Sequence, residues 1–169
     1  MAKDVDFENL VSSHYEPLYQ FAFSLTRDEA EACDLTQQTF CIWATKGHQL
    51  RDVTKVKTWL FTTLHREFLG SRRRQNRFPH VELDYVAAEL PVVSPATINQ
   101  LDVGQLLQAL DQLDEIYRPA IMLFYLEDHS YNEIAEILGI PLGTVKSRLT
   151  RGLEKLHHLL TNIQTPPQP

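Results

Sequence analysis

The sequence predicts an all-α protein of two small helical domains joined by a flexible linker, with a helix-turn-helix in the C-terminal domain. Apolar residues recur at spacings of three and four along most of the chain, which is the period of an amphipathic helix. Residues 76–95 break this period with three prolines and three acidic side chains, a composition typical of a linker. We therefore divide the chain into an N-terminal domain (1–77), a linker (78–98), a C-terminal domain (99–163) and a tail (164–169).

The charge of the chain limits how it can bind DNA. The 169 residues carry a formal net charge of −6, so any contact with DNA must come from local basic patches. The first 75 residues have as many acidic as basic side chains, and acids outnumber bases from residue 100 onward. Tight DNA binding by the chain alone is not expected, because affinity grows with the number of phosphates that are neutralised.

The cysteines and the apolar segments indicate a cytoplasmic protein. Cys33 and Cys41 would lie about 12 Å apart along one helix, which is too far for a disulfide. No spacing of Cys and His is typical of a zinc site, and we expect no cofactor and no metal. The N-terminus lacks the apolar core of a signal peptide, and the longest apolar run, 120–126, is too short to span a bilayer, so we expect no membrane insertion.

Three or four helices are predicted in the N-terminal domain. The first covers Phe7 to Leu25, where apolar residues keep the helical period. Thr26 with Glu29 forms a potential capping box for the second helix, which Gly47 closes. A polar, basic loop follows, and a third helix with apolar residues from Val56 onward ends in Arg72, Arg73 and Arg74. Such a charge block is either a solvated helix end or a patch that neutralises phosphates.

Two helices precede the helix-turn-helix. Ser94 before Pro95 and Thr97 with Gln100 are alternative starts for the first of them, an amphipathic helix up to Leu113. The next segment, EIYRPAIMLFYLED, is almost entirely apolar and must belong to a core. Its proline, Pro119, requires that the helix begins close to Arg118 or is kinked there.

Residues 130–160 predict two helices joined by a tight turn. Ser130 with Glu133 is a capping box, Gly139 suits the left-handed end of the first helix, and Pro141 suits the start of the second. The second helix would turn polar and basic residues outward, with no acidic residue before Glu154: Thr144, Lys146, Ser147, Thr150 and Arg151. Such a helix fits the major groove, where Lys and Arg reach guanine edges. The alternative is a helical hairpin whose charged face is only solvated.

The string YNEIAEILGIPLGTVKSRL closely resembles the promoter −35 reader of bacterial sigma factors of the extracytoplasmic-function (ECF) group. The string CDLTQQTFCIWA is similar to the family segment EDLxQxxFxxxW, which docks on the polymerase clamp helices. The string VKTWLFTTLHREFLGSRRR is similar to WLxxIAxNxxxDxxR, which engages the −10 element. The chain departs from the family in the −10 segment at Arg66 (usually Asn) and Gly70 (usually Asp or Asn), so we expect an altered −10 preference. It departs in the clamp segment at Cys33 (usually Glu), so we expect that the polymerase contact of this one position is not kept.

The resemblance implies a sigma factor that binds core RNA polymerase and directs promoter recognition and transcription initiation. Its implied partners are core RNA polymerase and promoter DNA, with an anti-sigma factor as a further candidate. The residues assigned to polymerase binding are Asp34, Gln37, Gln38 and Phe40. Those assigned to the −10 element are Leu50, Arg51, Thr54, Lys55, Val56, Trp59, Arg66, Arg72, Arg73 and Arg74. Those assigned to the −35 element are Thr144, Lys146, Ser147, Arg148 and Arg151, with Lys146 and Ser147 reading bases.

Two other classes of function compete with this interpretation. A stand-alone helix-turn-helix transcriptional regulator would explain residues 130–160 equally well, but it leaves CDLTQQTF and the tryptophan helix with its arginines unexplained. An enzyme would need a nucleophile with its base, a phosphate-binding loop or a metal constellation, and the sequence offers none of these. We therefore expect a protein that is not an enzyme.

Overall fold

The computed structural model describes residues 5–75 and 103–164, and every regular element in these two ranges is helical. The α-helices are α1 (Phe7–Thr26), α2 (Glu29–Lys46), α3 (Val56–Gln75), α4 (Val103–Gln112), α5 (Arg118–Tyr125), α6 (Tyr131–Leu138) and α7 (Leu142–Gln164). Two short 3-10 turns, Gly47–Gln49 and Val53–Lys55, connect α2 to α3. The predicted all-α class is confirmed. The predicted linker and the helix starts at Ser94 and Thr97 lie outside the described residues.

The start of α2 differs from the prediction. The N-cap is Asp28, whose carboxylate accepts a hydrogen bond from the Glu31 amide at 2.8 Å, so the capping box of Thr26 with Glu29 is wrong. Thr26 instead ends α1, and its hydroxyl donates to the Asp28 carbonyl at 3.0 Å. A carboxylate suits this position because it both pairs with a free amide and offsets the positive end of the helix dipole.

Helices α1, α2 and α3 enclose an apolar core. Phe21 and Phe61 are fully buried, and their ring centroids lie 5.3 Å apart. Trp43 and Trp59 meet edge to face, with centroids 5.1 Å apart. Gly47 packs so closely on Trp43 that a Cβ added there would lie 2.5 Å from the Trp43 ring. The close approach fixes the turn that leads from α2 toward α3.

The helix-turn-helix is formed as predicted. Both bonds of the capping box join Ser130 and Glu133, and Gly139 ends α6 in the left-handed conformation with φ 64° and ψ 37°. The inward stripe of α7, Val145, Leu149, Leu153 and Leu156, is buried. Upstream, α5 begins at Arg118 with Pro119 in its first turn. The prediction that this helix begins close to Arg118 is therefore confirmed, and the alternative of a kink there is wrong.

The two halves pack against each other, with α3 on α6 and α1 on α5. Their apolar cores are continuous. Arg118 crosses the boundary and donates to the Ser24 carbonyl in α1 at 2.9 Å. Arg27 at the end of α1 donates to the Asp111 carbonyl at 2.6 Å. None of the described helices is long and apolar enough to cross a membrane.

Candidate nucleic-acid interface

The second helix of the helix-turn-helix, α7, presents the predicted −35 residues to different degrees. Lys146 and Arg151 are exposed, whereas Thr144, Ser147 and Arg148 are half-buried. The Ser147 hydroxyl donates to the Thr144 carbonyl at 3.1 Å, within its own helix. The exposed cations are therefore the side chains of this set that can reach a groove without rearrangement. Thr150 does not belong to the outer face, because only 8% of it is exposed.

Arg148 points back toward α3 and not to the surface of α7. It lines a cavity of about 170 Å³ together with His65 and Phe68 of α3 and Leu138 of α6. Burial lowers the pKa of its guanidinium. Burial, with the nearby charge of Arg148, also lowers the pKa of His65 to about 4. His65 is therefore a neutral ring at pH 7, and the backbone of Ile137 in α6 acts against the shift by raising the His65 pKa.

The loop before the tryptophan helix is held by one aspartate. The Asp52 carboxylate accepts from the amide of Thr54 at 2.9 Å and from its hydroxyl at 2.6 Å, and these bonds lower the Asp52 pKa. Arg51, Thr54 and Lys55 are exposed around this turn. The arrangement presents two cations on a fixed backbone, as contact with a nucleic-acid strand requires.

Three further residues of the −10 set are less accessible. Leu50 and Trp59 are half-buried and pack against the core. Val56 is buried, with 7% of its surface exposed, and its assignment to the −10 element stays a prediction. Its apolar side chain lies at the start of α3, where it packs inward and fixes the end of the loop.

The arginines of α3 do not form one uniform patch. Arg66, Arg73 and Arg74 are exposed. Arg72 is half-buried, because its guanidinium lies 5.1 Å from the centroid of the Phe68 ring and 3.6 Å from the Glu31 carboxylate. Arg72 therefore ties α3 to α2, and the other three arginines remain available to phosphates.

The predicted polymerase residues of α2 also divide into two groups. Asp34, Gln37 and Gln38 are exposed, although the Gln38 amide donates to the Glu67 carboxylate of α3 at 2.7 Å. Phe40 is only 5% exposed and stacks on Tyr15 of α1, with centroids 6.3 Å apart. The Phe40 ring belongs to the core on the opposite side of the helix, and its assignment to polymerase binding stays a prediction.

Two polar residues at the start of α3 were missed by the sequence reasoning. Lys57 donates to the Glu127 carbonyl at 2.6 Å, and its Nζ lies 3.4 Å from the Glu127 carboxylate. The Thr58 hydroxyl donates to Glu133 at 3.2 Å. Burial raises the pKa of Glu127, and the capping bond from the Ser130 amide lowers that of Glu133. No local pattern links residues about 70 positions apart, so nothing in the sequence indicated these contacts.

In residues 5–75 and 103–164, no group of three or more His, Cys, Asp or Glu side chains could hold a metal ion. Cys33 is half-buried and Cys41 is exposed, and both thiols are free. The predicted site residues that are exposed on α2, on the loop before α3, on α3 and on α7 are cations, amides and a carboxylate.

The comparisons with known proteins match both halves of the chain. Residues 10–78 match the family Sigma-70 region 2, and residues 104–156 match the family Sigma-70, region 4. The ECF RNA polymerase sigma factor SigE of Mycolicibacterium smegmatis is 36% identical over 91% of this chain, which spans 61% of that protein's length. The ECF RNA polymerase sigma factor SigL of Mycobacterium tuberculosis is 32% identical over 91% of this chain and 88% of its own length.

One solved structure is similar in both fold and sequence. It is the sigma factor RpoE in complex with the anti-sigma factor NepR from Bartonella quintana. The likeness has a TM-score of 0.69 and 31% identity, and it covers 92% of this chain and 97% of that one. The similarity therefore extends through both halves of the chain.

Proposed function

The chain belongs to the sigma-70 family, in the ECF group of RNA polymerase sigma factors, and we propose that it binds core RNA polymerase and directs promoter recognition. The observation that carries this proposal is the order of the two family matches. Region 2 coincides with α1–α3 and region 4 with α4–α7, on either side of the predicted linker. A stand-alone regulator is not favoured, because it leaves the region 2 match unexplained. We expect no catalytic activity, and we propose that the chain acts in the cytoplasm, where the polymerase is.

The polymerase contact is proposed for the outer face of α2. Asp34, Gln37 and Gln38 are spaced by three and four residues and are exposed, so they share one face of a helix. Phe40, Thr39 and Leu35 hold the opposite face in the core. A rigid helix with a narrow polar face is suited to docking against another helix, because little side-chain freedom remains to be lost.

The −10 contact is proposed for the loop that precedes α3 and for the exposed arginines. Arg51 and Lys55 flank the turn that Asp52 holds, and both are exposed. Trp59 lies one helical turn further, with part of its ring accessible. Aromatic rings near cations suit unpaired bases, since base stacking on an aromatic ring contributes about 1–3 kcal/mol per base.

The −35 contact is proposed for the exposed cations of α7. We expect Lys146→Ala to weaken binding at one −35 position by about 1–3 kcal/mol, the usual size of a lost base contact. The measurement is transcription from a set of promoters that differ at single −35 positions. An equal loss on every promoter would show that Lys146 contacts only phosphate.

The experiment that tests the proposed function is co-elution of the purified chain with bacterial core RNA polymerase on a sizing column. We expect the wild type to co-elute and the double variant Asp34→Ala, Gln37→Ala to be lost from the complex. The matched control is Glu16→Ala, Gln20→Ala, which also removes an acid and a glutamine from one helix, α1, where Glu16 is exposed and Gln20 is half-buried. Absence of co-elution, with footprinting of a palindromic site by the chain alone, would support the stand-alone regulator.

A further inference from the structure

We infer that Glu31, Glu67 and Arg72 are positioning residues for the −10 contact. Together with Gln38 they form a polar clasp between α2 and the end of α3. The clasp fixes where the exposed arginines at the end of α3 lie relative to the helix that is proposed to bind the polymerase. This role rests on the proposed function and deepens it, since Arg72 then places other cations and does not itself bind a phosphate.

The last part of α3, residues 66–75, has little apolar support. The buried side chains of this helix all lie between Val56 and His65, and every side chain from Arg66 onward is half-buried or exposed. Phe68 is half-buried and packs against the core. A helical segment of this length is only marginally stable in water without tertiary contacts. Its position therefore depends on Phe68 and on the contacts that its polar side chains make.

The first link of the clasp joins the middle of α2 to this segment. The Gln38 amide donates to the Glu67 carboxylate at 2.7 Å. Gln38 is also exposed beside Asp34 and Gln37, so the side chain that contacts α3 borders the proposed polymerase face. A hydrogen bond to a carboxylate is stronger than one between neutral groups. Glu67 therefore holds the end of α3 to the helix on which the polymerase is proposed to dock.

The second link joins the start of α2 to the last turn of α3. One oxygen of the Glu31 carboxylate lies 3.6 Å from the Arg72 guanidinium, whose Cζ lies 5.1 Å from the centroid of the Phe68 ring. The guanidinium also donates to the Gln75 side chain at 3.3 Å. The other oxygen of Glu31 is buried and has no hydrogen-bond partner among the residues that the structure describes. Arg72 therefore offsets the charge of a carboxylate that is partly withdrawn from water.

The clasp acts where a small rotation of the helix has a large effect. Arg73 and Arg74 are exposed, and Arg74 lies about 13 Å beyond His65 by helical rise. A bend of about 20° at His65, the size of a distinct kink, would displace Arg74 by about 4–5 Å. This displacement exceeds the length of a hydrogen bond, so a contact with a given phosphate would be lost. Arg66 adjoins the buried part of α3 and is much less affected.

The test is a charge swap in the full chain bound to core RNA polymerase. Arg72→Glu and Glu31→Arg each place like charges across the second link, and the double variant restores an opposite pair. The DNA probes are promoter fragments that the wild-type complex selects from a library randomised at both elements. We expect each single variant to slow open-complex formation at least about fivefold, and the double variant to recover to within about twofold of the wild type. Affinity for the polymerase should stay within about twofold in all three.

Recovery in the double variant decides the role of Arg72, because a glutamate at position 72 cannot bind a phosphate. The matched control is Glu29→Arg, the same change of charge at an exposed position in the same first turn of α2. It should leave open-complex formation near the wild-type rate and should not rescue Arg72→Glu. Glu67→Ala breaks the first link and should also slow open-complex formation without loss of polymerase affinity.

Three results would overturn the inference. A double variant as slow as Arg72→Glu would show that Arg72 acts on DNA through its own charge. Single variants at the wild-type rate would show that the clasp has no effect on promoter opening. A parallel loss of polymerase affinity would show that the clasp shapes the α2 face and not the −10 contact. The side chains of Arg72 and Glu31 are 36% and 27% exposed, so each variant is expected to fold.

Amide hydrogen exchange of the free chain separates failure of the inference from failure of the proposed function. We expect residues 66–75 to exchange at least about fivefold faster in each single variant and at the wild-type rate in the double variant, with residues 56–64 unchanged. Unchanged exchange in the single variants would overturn the inference, even if the chain binds the polymerase. A wild type that does not bind core polymerase would refute the proposed function, whereas the exchange rates decide on their own whether the clasp holds α3.

Discussion

Replacement of Arg118 by methionine should destabilise the whole fold, because this one guanidinium joins three segments. It is 4% exposed. It donates to the Leu110 carbonyl at 2.8 Å, to the Ser24 carbonyl at 2.9 Å and to the Leu113 carbonyl. These acceptors belong to α4, to α1 in the other half, and to the connection before α5. Methionine keeps most of the apolar stem but removes every donor.

The size of the effect follows from the acceptors left behind. A buried carbonyl without a partner costs about 1–3 kcal/mol, and hydrogen bonds from a charged donor contribute at the upper end of this range. Three carbonyls lose the bond from Arg118, although the Leu110 carbonyl also accepts from the Leu113 amide at 3.2 Å. Burial already disfavours the charged form of Arg118, as its lowered pKa indicates. We therefore expect the free energy of unfolding to fall by about 3–5 kcal/mol. In a chain of this size, that corresponds to a decrease in Tm of roughly 6–20 °C.

Urea unfolding followed by circular dichroism measures this change. Arg118→Lys is the matched control, because it keeps the charge but offers no planar fork that reaches three carbonyls at once, so an intermediate loss is expected. Since the Ser24 bond crosses between the halves, the methionine variant should also broaden or split the unfolding transition. A loss below about 1 kcal/mol would refute the reasoning, because it would mean that water or neighbouring groups satisfy all three carbonyls.

Three further changes test other parts of the structure. Ser130→Ala removes one bond of the capping box and should cost about 1 kcal/mol by urea unfolding, whereas Ser130→Asp, which can also cap, should cost less. Gly47→Ala should cost about 1–3 kcal/mol and change the tryptophan emission, because the new Cβ would overlap the Trp43 ring; unchanged emission would contradict the packing. Because the His65 pKa falls from 6.5 to about 4 on folding, the unfolded chain binds the proton first, and stability is lost as the pH falls from about 6.5 toward 4. At pH 5 this loss in the free energy of unfolding is about 2 kcal/mol. The variant His65→Gln should therefore show a smaller difference between its urea midpoints at pH 7 and pH 5 than the wild type does.

Local chemistry explains why the helix-turn-helix could be predicted. The capping box, the left-handed glycine and the proline that follows it act within a few residues of each other. The same reasoning wrongly predicted that Thr26 caps α2. Two side chains that can cap a helix, the hydroxyl of Thr26 and the carboxylate of Asp28, lie two residues apart there. The carboxylate of Asp28 caps the helix, and no periodic pattern distinguishes these two candidates.

The burial of Phe40 and Val56 shows that a residue of a binding motif can pack in the core. Phe40 falls on the inward stripe of α2 with Thr36 and Trp43, so the helical period indicated its burial while the family motif assigned it to the partner. A motif residue can be required because it holds the binding face, without touching the partner. Val56 fits the same explanation at the start of α3.

The contact between the halves could not be predicted from the chain. Lys57, Glu127 and Glu133 have the composition of solvated surface charges, and their partners lie about 70 residues away. Pairing at such separations depends on the complete tertiary arrangement and leaves no period in the sequence. The cavity beside Arg148 likewise forms only when helices from both halves meet.

The pairing of Lys57 with Glu127 also has a consequence for the response of the chain to ionic strength. The Glu127 side chain is only 8% exposed, so salt screens this pair less than it screens a pair of exposed charges such as Asp114 with Lys155. Added salt should therefore weaken the exposed pair first, while the contact of α3 with the segment before α6 persists.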